Sequence, residues 1–199
     1  MQSYVTTTSV GGRDGYIFQD VYIRSADGEL ASVQSLLYSA LEDWHSESLG
    51  NIVIDDHKKD QLDLNRPIKR IAVSNGWIVD GIAITYNLAN GKNETLHHGS
   101  QFKNADIIDF DPNEILATVF GRAGRQSFYE REMVNNIGFV IFDTVKGTTR
   151  TVGPYGNVNG ATEGKPFLCS DVIAFGGFAE NTDTLGLSGL FFYKDVGKR

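Results

Sequence analysis

VIAFGGFAENTDTLGLSGLFFY, residues 172–193, predicts a β-hairpin near the end of the chain. Its first arm, 172–175, is apolar and rich in strand-forming residues, and its second arm, 187–193, is apolar and aromatic. Two glycines follow the first arm, and a polar turn follows at 180–184. A polar loop carried by two rigid strands is a common place for a binding site. The stretch therefore predicts both a β-rich fold and a ligand-binding loop.

The composition of the chain favours one all-β domain. At 199 residues the chain can bury one substantial core, so we expect a single domain over 1–199. The 22 glycines far outnumber the 4 prolines, and they are scattered among β-branched and aromatic residues. This pattern is typical of a turn-rich β fold rather than of a helical bundle.

Charge and cysteine content exclude several classes of function. The net charge of −7 opposes binding to nucleic acid or to an anionic membrane by bulk electrostatics. No apolar run is long enough to predict a membrane-spanning helix, so no membrane insertion is expected. The first ten residues lack the basic and apolar regions of a signal peptide, which predicts a cytoplasmic protein or one exported by another route. Cys169 stands alone, so no intrachain disulfide can form.

The rest of the chain shows further strands and one stretch of different character. Hairpins at 68–86 and 137–152 echo the final one and indicate a degenerate three-fold repeat. Strands are also expected at 16–23 and 115–121, with a polar loop over 122–132. Between 25 and 67, apolar residues at helical spacing predict a helix over about 29–43, followed by a short strand at 49–54. The residues at this spacing are Leu30, Val33, Leu37, Leu41 and Trp44.

Several separated motifs, taken in order, resemble the jacalin-related lectins. A Gly-Gly loop precedes a Phe-x-Asp strand, and later come an Ile-x-x-Ile-x-Val strand, a His-Gly element and a Gly-Pro-aromatic-Gly element. In this chain they are Gly11-Gly12, Phe18-Gln19-Asp20, Ile68 to Val73, Ile78 to Ile82, Tyr86, His98-Gly99-Ser100, Glu114 to Gly121, and Gly153-Pro154-Tyr155-Gly156. The resemblance implies an all-β fold, a β-prism of three four-stranded Greek-key sheets around one core. Segment 25–67 has no counterpart in that pattern and is expected to be an insertion with a helix at about 28–45.

The resemblance also implies where a sugar would bind. In the family, the N-terminal Gly loop and the loop of the last hairpin form the pocket, and a carboxylate of that loop accepts hydrogen bonds from sugar hydroxyls. The terminal strand aligns Ser188 with that carboxylate, and another register places Gly186 there. A hydroxyl at Ser188 would replace part of the bonding, with a loss of about 1–2 kcal/mol, and Asp183 is the alternative acceptor. The implied site is Gly11, Gly12, Asn181, Thr182, Asp183, Thr184, Leu185 and Ser188.

The function implied by the resemblance is metal-independent carbohydrate binding, without a cofactor. Galactose-binding members of the family are cut to free a glycine N-terminus, whereas ten residues precede Gly11, so mannose- or glucose-type glycans are expected. Glycans are thus the expected partners, and a homo-oligomer is expected because one site per chain needs multivalency.

Catalytic and metal-binding patterns are weak in this sequence. Ser127, Ser170 and Cys169 lie in no nucleophile motif, so no enzyme is predicted. His97 and His98 would point to opposite faces of a regular strand and could not chelate one ion together.

A second function remains open. The family carboxylate is missing, and the inserted segment carries Leu37, Leu41 and Trp44. Both features also fit a β-prism whose sugar site has decayed and which acts as a structural or protein-interaction module. A screen for sugar binding separates the two hypotheses.

Overall fold

The structure of the protein is a computed structural model that describes residues 4–24, 30–32, 52–54, 60–157, 163–180 and 186–195. The described residues form sixteen β-strands and no helix. The strands are β1 (Tyr4–Thr6), β2 (Val10–Gly11), β3 (Tyr16–Gln19), β4 (Val21–Arg24), β5 (Leu30–Ser32), β6 (Ile52–Ile54), β7 (Ile68–Asn75), β8 (Val79–Asn87), β9 (Asn93–Gly99), β10 (Asp106–Asp109), β11 (Glu114–Gln126), β12 (Arg131–Asp143), β13 (Thr148–Tyr155), β14 (Lys165–Ser170), β15 (Val172–Ala179) and β16 (Leu187–Asp195).

Three antiparallel sheets make up the body of the protein. Sheet I has the order β1-β16-β15-β3, with the short strand β2 also paired to β16; sheet II has the order β10-β7-β8-β9, and sheet III the order β13-β12-β11-β14. The inner pair of each sheet is a hairpin of consecutive strands. This is the β-prism that the sequence resemblance implies, and the predicted final hairpin is confirmed as β15 and β16.

The core lies between the three sheets. On β8 the alternating residues Ile82, Ile84 and Tyr86 are fully buried, as expected when one face of a strand points inward. Phe139 of sheet III and Phe175 of sheet I are also fully buried within the same cluster. Burial of such large side chains is the main favourable term in folding, so the three sheets stabilise one another.

A buried polar network joins sheets I and II. Asp20, fully buried, accepts a hydrogen bond from the Tyr86 hydroxyl at 2.5 Å and lies 2.6 Å from Nε2 of His98. The Tyr86 oxygen in turn accepts a hydrogen bond from the backbone N–H of Phe175 at 3.1 Å. Burial of the hydroxyl, followed by the charge of Asp20, raises the pKa of Tyr86 well above its usual value. Both carboxylate oxygens of Asp20 and the hydroxyl of Tyr86 therefore have partners, as buried polar groups require.

Part of the predicted helical insertion is wrong. Leu30–Ser32 is a strand that pairs with β4, and Ile52–Ile54 pairs with the other edge of β4 to give a small three-stranded sheet. Pairing with a neighbouring strand overrides the helical spacing at the start of this segment, because local propensity is weaker than tertiary contact. The rest of the predicted helix lies outside the described residues, whereas the predicted short strand is confirmed at Ile52–Ile54. No helix that is long and apolar enough to cross a membrane occurs among the described residues.

The polar loop predicted at 122–132 is shorter than expected. β11 continues to Gln126 and β12 begins at Arg131, so only four residues turn between them. Alternation explains the error: Ala123 and Met133 point inward and are buried, while polar neighbours cover the outer face. The long β11–β12 hairpin consequently matches the inner hairpins of the other two sheets.

Candidate functional site

The N-terminal Gly loop packs tightly on the start of the last strand. The backbone N–H of Gly12 donates to the carbonyl of Ser188 at 2.7 Å, and Gly11 pairs with Gly189. A Cβ on Gly12 would lie 2.3 Å from the carbonyl oxygen of Glu132, and a Cβ on Gly11 would lie 2.6 Å from that of Ser188. Only glycine allows so close an approach of backbones, so the two glycines fix the path of this loop.

Ser188 links the Gly loop to the last hairpin. Its side chain is 1% exposed, and its hydroxyl donates to the carbonyl of Asp14 at 2.9 Å. The sequence predicts that this hydroxyl contacts sugar, and that contact stays a prediction. The structure gives Ser188 a further role, because its hydrogen bond holds Asp14 and the rest of the Gly loop against β16.

The loop of the last hairpin is closed at its base. The N–H of Glu180 donates to the carbonyl of Gly186 at 2.8 Å, so the two ends of the loop meet. Gly15 lies so near that a Cβ on it would be 2.5 Å from the carbonyl oxygen of Ala179. The residues predicted to bind sugar in this loop, Asn181, Thr182, Asp183, Thr184 and Leu185, lie outside the described residues. The structure thus brings Gly11, Gly12 and Ser188 together with both ends of that loop.

A half-buried carboxylate at the same end of the prism was not expected as a site residue. Asp80 lies where β8 bulges, and a Cβ on Gly186 would lie 2.6 Å from its carbonyl oxygen. Among the described residues, no hydrogen bond to its carboxylate is found, and burial raises its pKa to about 6. A perturbed carboxyl beside a candidate binding loop is itself a functional indication. The sequence signal was an acidic residue inside the apolar run Ile78 to Ile82.

A cavity of about 550 Å³ opens beside the Gly loop. Gly11 forms part of its wall, together with the charged residues Arg125, Glu132 and Lys165. Charged donors and acceptors in a concave surface can hydrogen-bond a polyhydroxylated ligand. Charged groups of the cavity wall therefore lie close to the Gly loop.

The histidines are arranged as the sequence predicts. His97 is exposed and His98 is 8% exposed, which confirms that they point to opposite faces of β9. The ring of His98 stacks on Phe18 with centroids 3.6 Å apart. Within the described ranges, no cluster of three or more acidic, histidine or cysteine side chains could hold a metal ion. His98 thus belongs to the buried network of the fold.

The three-sheet prism, with a glycine loop docked on its last hairpin, is the architecture that the sequence motifs predict for the jacalin-related lectins. The family model of the Jacalin-like lectin domain matches residues 7–188, most of the chain, and the protein belongs to this family.

Solved structures share the fold at low sequence identity. A mannose-specific jacalin-related lectin from Morus nigra, solved with mannose, is 17% identical with a TM-score of 0.59, covering 98% of this chain and 97% of that chain. A mannose-binding jacalin-related lectin from Ananas comosus is 18% identical with a TM-score of 0.57, covering 96% of both chains. Artocarpin in complex with mannopentose is 21% identical with a TM-score of 0.57, covering 96% of this chain and 97% of that chain. No curated protein sequence matches the chain.

Proposed function

We propose that this protein is a lectin that binds mannose- or glucose-type glycans without a metal ion and without catalysis. The observation that carries the proposal is the docking of the Gly loop on the base of the last hairpin, through Gly12 and Ser188. Two loops from opposite ends of the chain meet there, and their backbone groups and polar side chains suit the hydroxyls of a sugar. The similar lectins named above bind mannose or a mannose oligosaccharide, which supports the choice of sugar.

Asp183 is the acceptor that we assign to the sugar in this proposal. It is the only acidic residue between Glu180 and Ser188, and its carboxylate can accept two hydrogen bonds from neighbouring hydroxyls. Ser188 contributes mainly by holding the Gly loop in place through its hydrogen bond to Asp14. We further propose that the chain forms a homo-oligomer, because a single weak site gains avidity from multivalency.

A glycan array followed by calorimetry tests the proposal. We expect binding of mannose-type glycans that is the same with calcium and with a chelator. Asp183→Asn should weaken binding of mannose about fivefold or more, since a hydrogen bond to a charged group is worth about 1 kcal/mol more than one to a neutral group.

Asp171→Asn is the matched control. Asp171 is exposed in the turn before β15, at the opposite end of that strand, and its φ of 57° suits asparagine. The control should bind sugar as the unchanged protein does. No binding to any glycan on the array, at high protein concentration, would overturn the proposal and favour the interaction module.

A further inference from the structure

Five apolar side chains lie together on the outer face of sheet III. Phe120 of β11 is directly opposite Leu168 of β14, and Ile115 of β11 is opposite Phe142 of β12. Opposed residues of an antiparallel pair share one face of the sheet, and Val140, two residues before Phe142, shares it too. We call these five residues the outer patch.

The outer patch is open to water. Buried and half-exposed residues alternate along β11, and Phe120 is half-exposed between the buried residues Val119 and Gly121. The ring of Phe120 covers Gly138, on which an added Cβ would lie 2.4 Å from the ring. Leu168 is 74% exposed, the largest fraction for any large apolar side chain that the structure describes. Adjoining apolar side chains left in water mark an interaction surface.

The other two sheets do not offer such a face. Almost every residue in β15 and β16, the inner strands of sheet I, is buried, so other parts of the chain already cover both faces of these strands. On sheet II the exposed residues Arg70 and Asp109 lie opposite each other and form an ion pair at 2.6 Å. Among the described strands, sheet III therefore presents the open apolar face.

The rows of sheet III that carry the outer patch contain no charged side chain among the described residues. The other side chains in these rows are those of hydroxyl residues, namely Thr118, Thr149, Thr151 and Ser170. Arg122 is the next residue of β11 on this face, and its guanidinium donates to the carbonyls of Glu163 and Gly164. A chain with a net charge of −7 repels a second copy of itself, and an uncharged face is where two copies approach with least repulsion.

The outer face of sheet III is large enough for a specific contact. One strand residue covers about 16 Å² of a sheet, from a spacing of about 3.4 Å along the strand and about 4.8 Å between strands. The strands of sheet III have 13, 13, 8 and 6 residues, which gives a face of roughly 650 Å². Specific interfaces begin at about 600 Å² per copy, so this face reaches the required size.

We infer that the outer patch is the interface of a homodimer, in which the sheet III faces of two copies pack against each other about a two-fold axis. A two-fold axis requires a surface that is complementary to itself, and a face of apolar and hydroxyl residues meets that requirement. Packed sheets lie about 10 Å apart, so Phe120 and Leu168 would be removed from water. The inference rests on the proposed lectin function, for which it names the surface that joins the copies of the homo-oligomer.

A second copy on the outer patch leaves the candidate sugar site free. The Gly loop packs on Glu132, near the start of β12. Val140 lies eight residues further along this strand, at a distance of about 27 Å. The dimer would therefore carry one open site on each copy, and it would gain avidity for a surface that displays many glycans.

Sedimentation velocity of the full chain, without sugar, tests the inference. We expect a dimer, and Leu168→Glu should weaken dimerisation at least about 100-fold, because two glutamates replace two buried leucines in each dimer. Leu168→Ala, which adds no charge, should weaken dimerisation about tenfold or more.

Ile107→Glu is the matched control. Ile107 is 52% exposed on β10 of sheet II, so the same change is made at an open apolar residue outside the outer patch. The control should dimerise as the unchanged protein does. Thermal unfolding checks that every variant is folded, and Leu168→Ala keeps the test valid if the glutamate unfolds the sheet.

Sugar binding supplies a second measurement. Leu168→Glu should keep its calorimetric affinity for mannose within about twofold, while it loses the ability to link beads coated with mannose-type glycans, because linking needs two sites in one particle.

The outcomes separate the interface from the lectin function. An unchanged protein that sediments as a monomer overturns the inference, and so does a dimer that persists in Leu168→Glu and Leu168→Ala. If the protein dimerises through the outer patch but binds no glycan, the interface stands and the lectin function fails. If a monomeric protein binds mannose, the lectin function stands and the interface fails.

Discussion

Replacing Tyr86 with phenylalanine tests the buried network between sheets I and II. The change removes a hydroxyl that donates to Asp20 at 2.5 Å and accepts the N–H of Phe175 at 3.1 Å. Loss of a hydrogen bond to a charged group costs about 1.5–3 kcal/mol, and an unpaired buried N–H costs about 1–3 kcal/mol. We therefore expect the free energy of unfolding to fall by about 3–5 kcal/mol, a large share of the roughly 5–15 kcal/mol of a typical domain.

Urea unfolding at pH 7, followed by circular dichroism, measures this loss. Tyr129→Phe is the matched control, because Tyr129 is exposed and the same atom is removed. The control should change the free energy of unfolding by less than about 0.5 kcal/mol. A cost below about 1 kcal/mol for Tyr86→Phe, with an unchanged m-value, would refute the view that this hydroxyl joins the two sheets.

Two further changes address the site itself. Burial raises the pKa of Asp80 to about 6, so the folded protein binds a proton more tightly than the unfolded chain and loses stability as the pH rises from about 4 to about 6. Asp80→Asn should raise the free energy of unfolding by about 1 kcal/mol at pH 7, a value already reduced because the side chain is half exposed. At pH 4 the same change should have almost no effect on that free energy, and equal gains at both pH values would contradict the burial argument. Ser188→Ala removes the bond to Asp14 and should cost about 1 kcal/mol in urea unfolding and weaken mannose binding several-fold, whereas Ser127→Ala, at an exposed turn, should change neither. Normal mannose affinity in Ser188→Ala would show that the Gly loop needs no such anchor.

The sequence was sufficient for the elements whose signal is local. The final hairpin was predictable because apolar arms flank a polar turn, and the opposite faces of His97 and His98 follow from strand geometry alone. The resemblance predicted a loop at Gly11 and Gly12. The structure shows why glycine is required at both positions, since the carbonyl groups of Ser188 and Glu132 leave no room for a side chain.

Features that depend on distant partners could not be predicted in this way. The strand at Leu30–Ser32 forms because β4 offers an edge, and no pattern within the segment shows that edge. Asp80 is half buried because Ser100 and Gly186 pack on its backbone, and both lie far along the chain. Trp77 was open to either packing or sugar contact, and its ring contacts that of Phe128, which lies in a turn of a different sheet.

The hydrogen bond between Glu180 and Gly186 has a consequence for how such a protein can diversify. The bond joins the residues on either side of segment 181–185, and these residues lie at the ends of the paired strands β15 and β16. The strands therefore supply the scaffold that carries the segment. A binding loop whose two ends are joined on a rigid scaffold generally tolerates changes of sequence, so we expect substitutions at these positions to leave folding largely unaffected. A randomised library restricted to these five positions would therefore explore new recognition properties while keeping one unchanged scaffold.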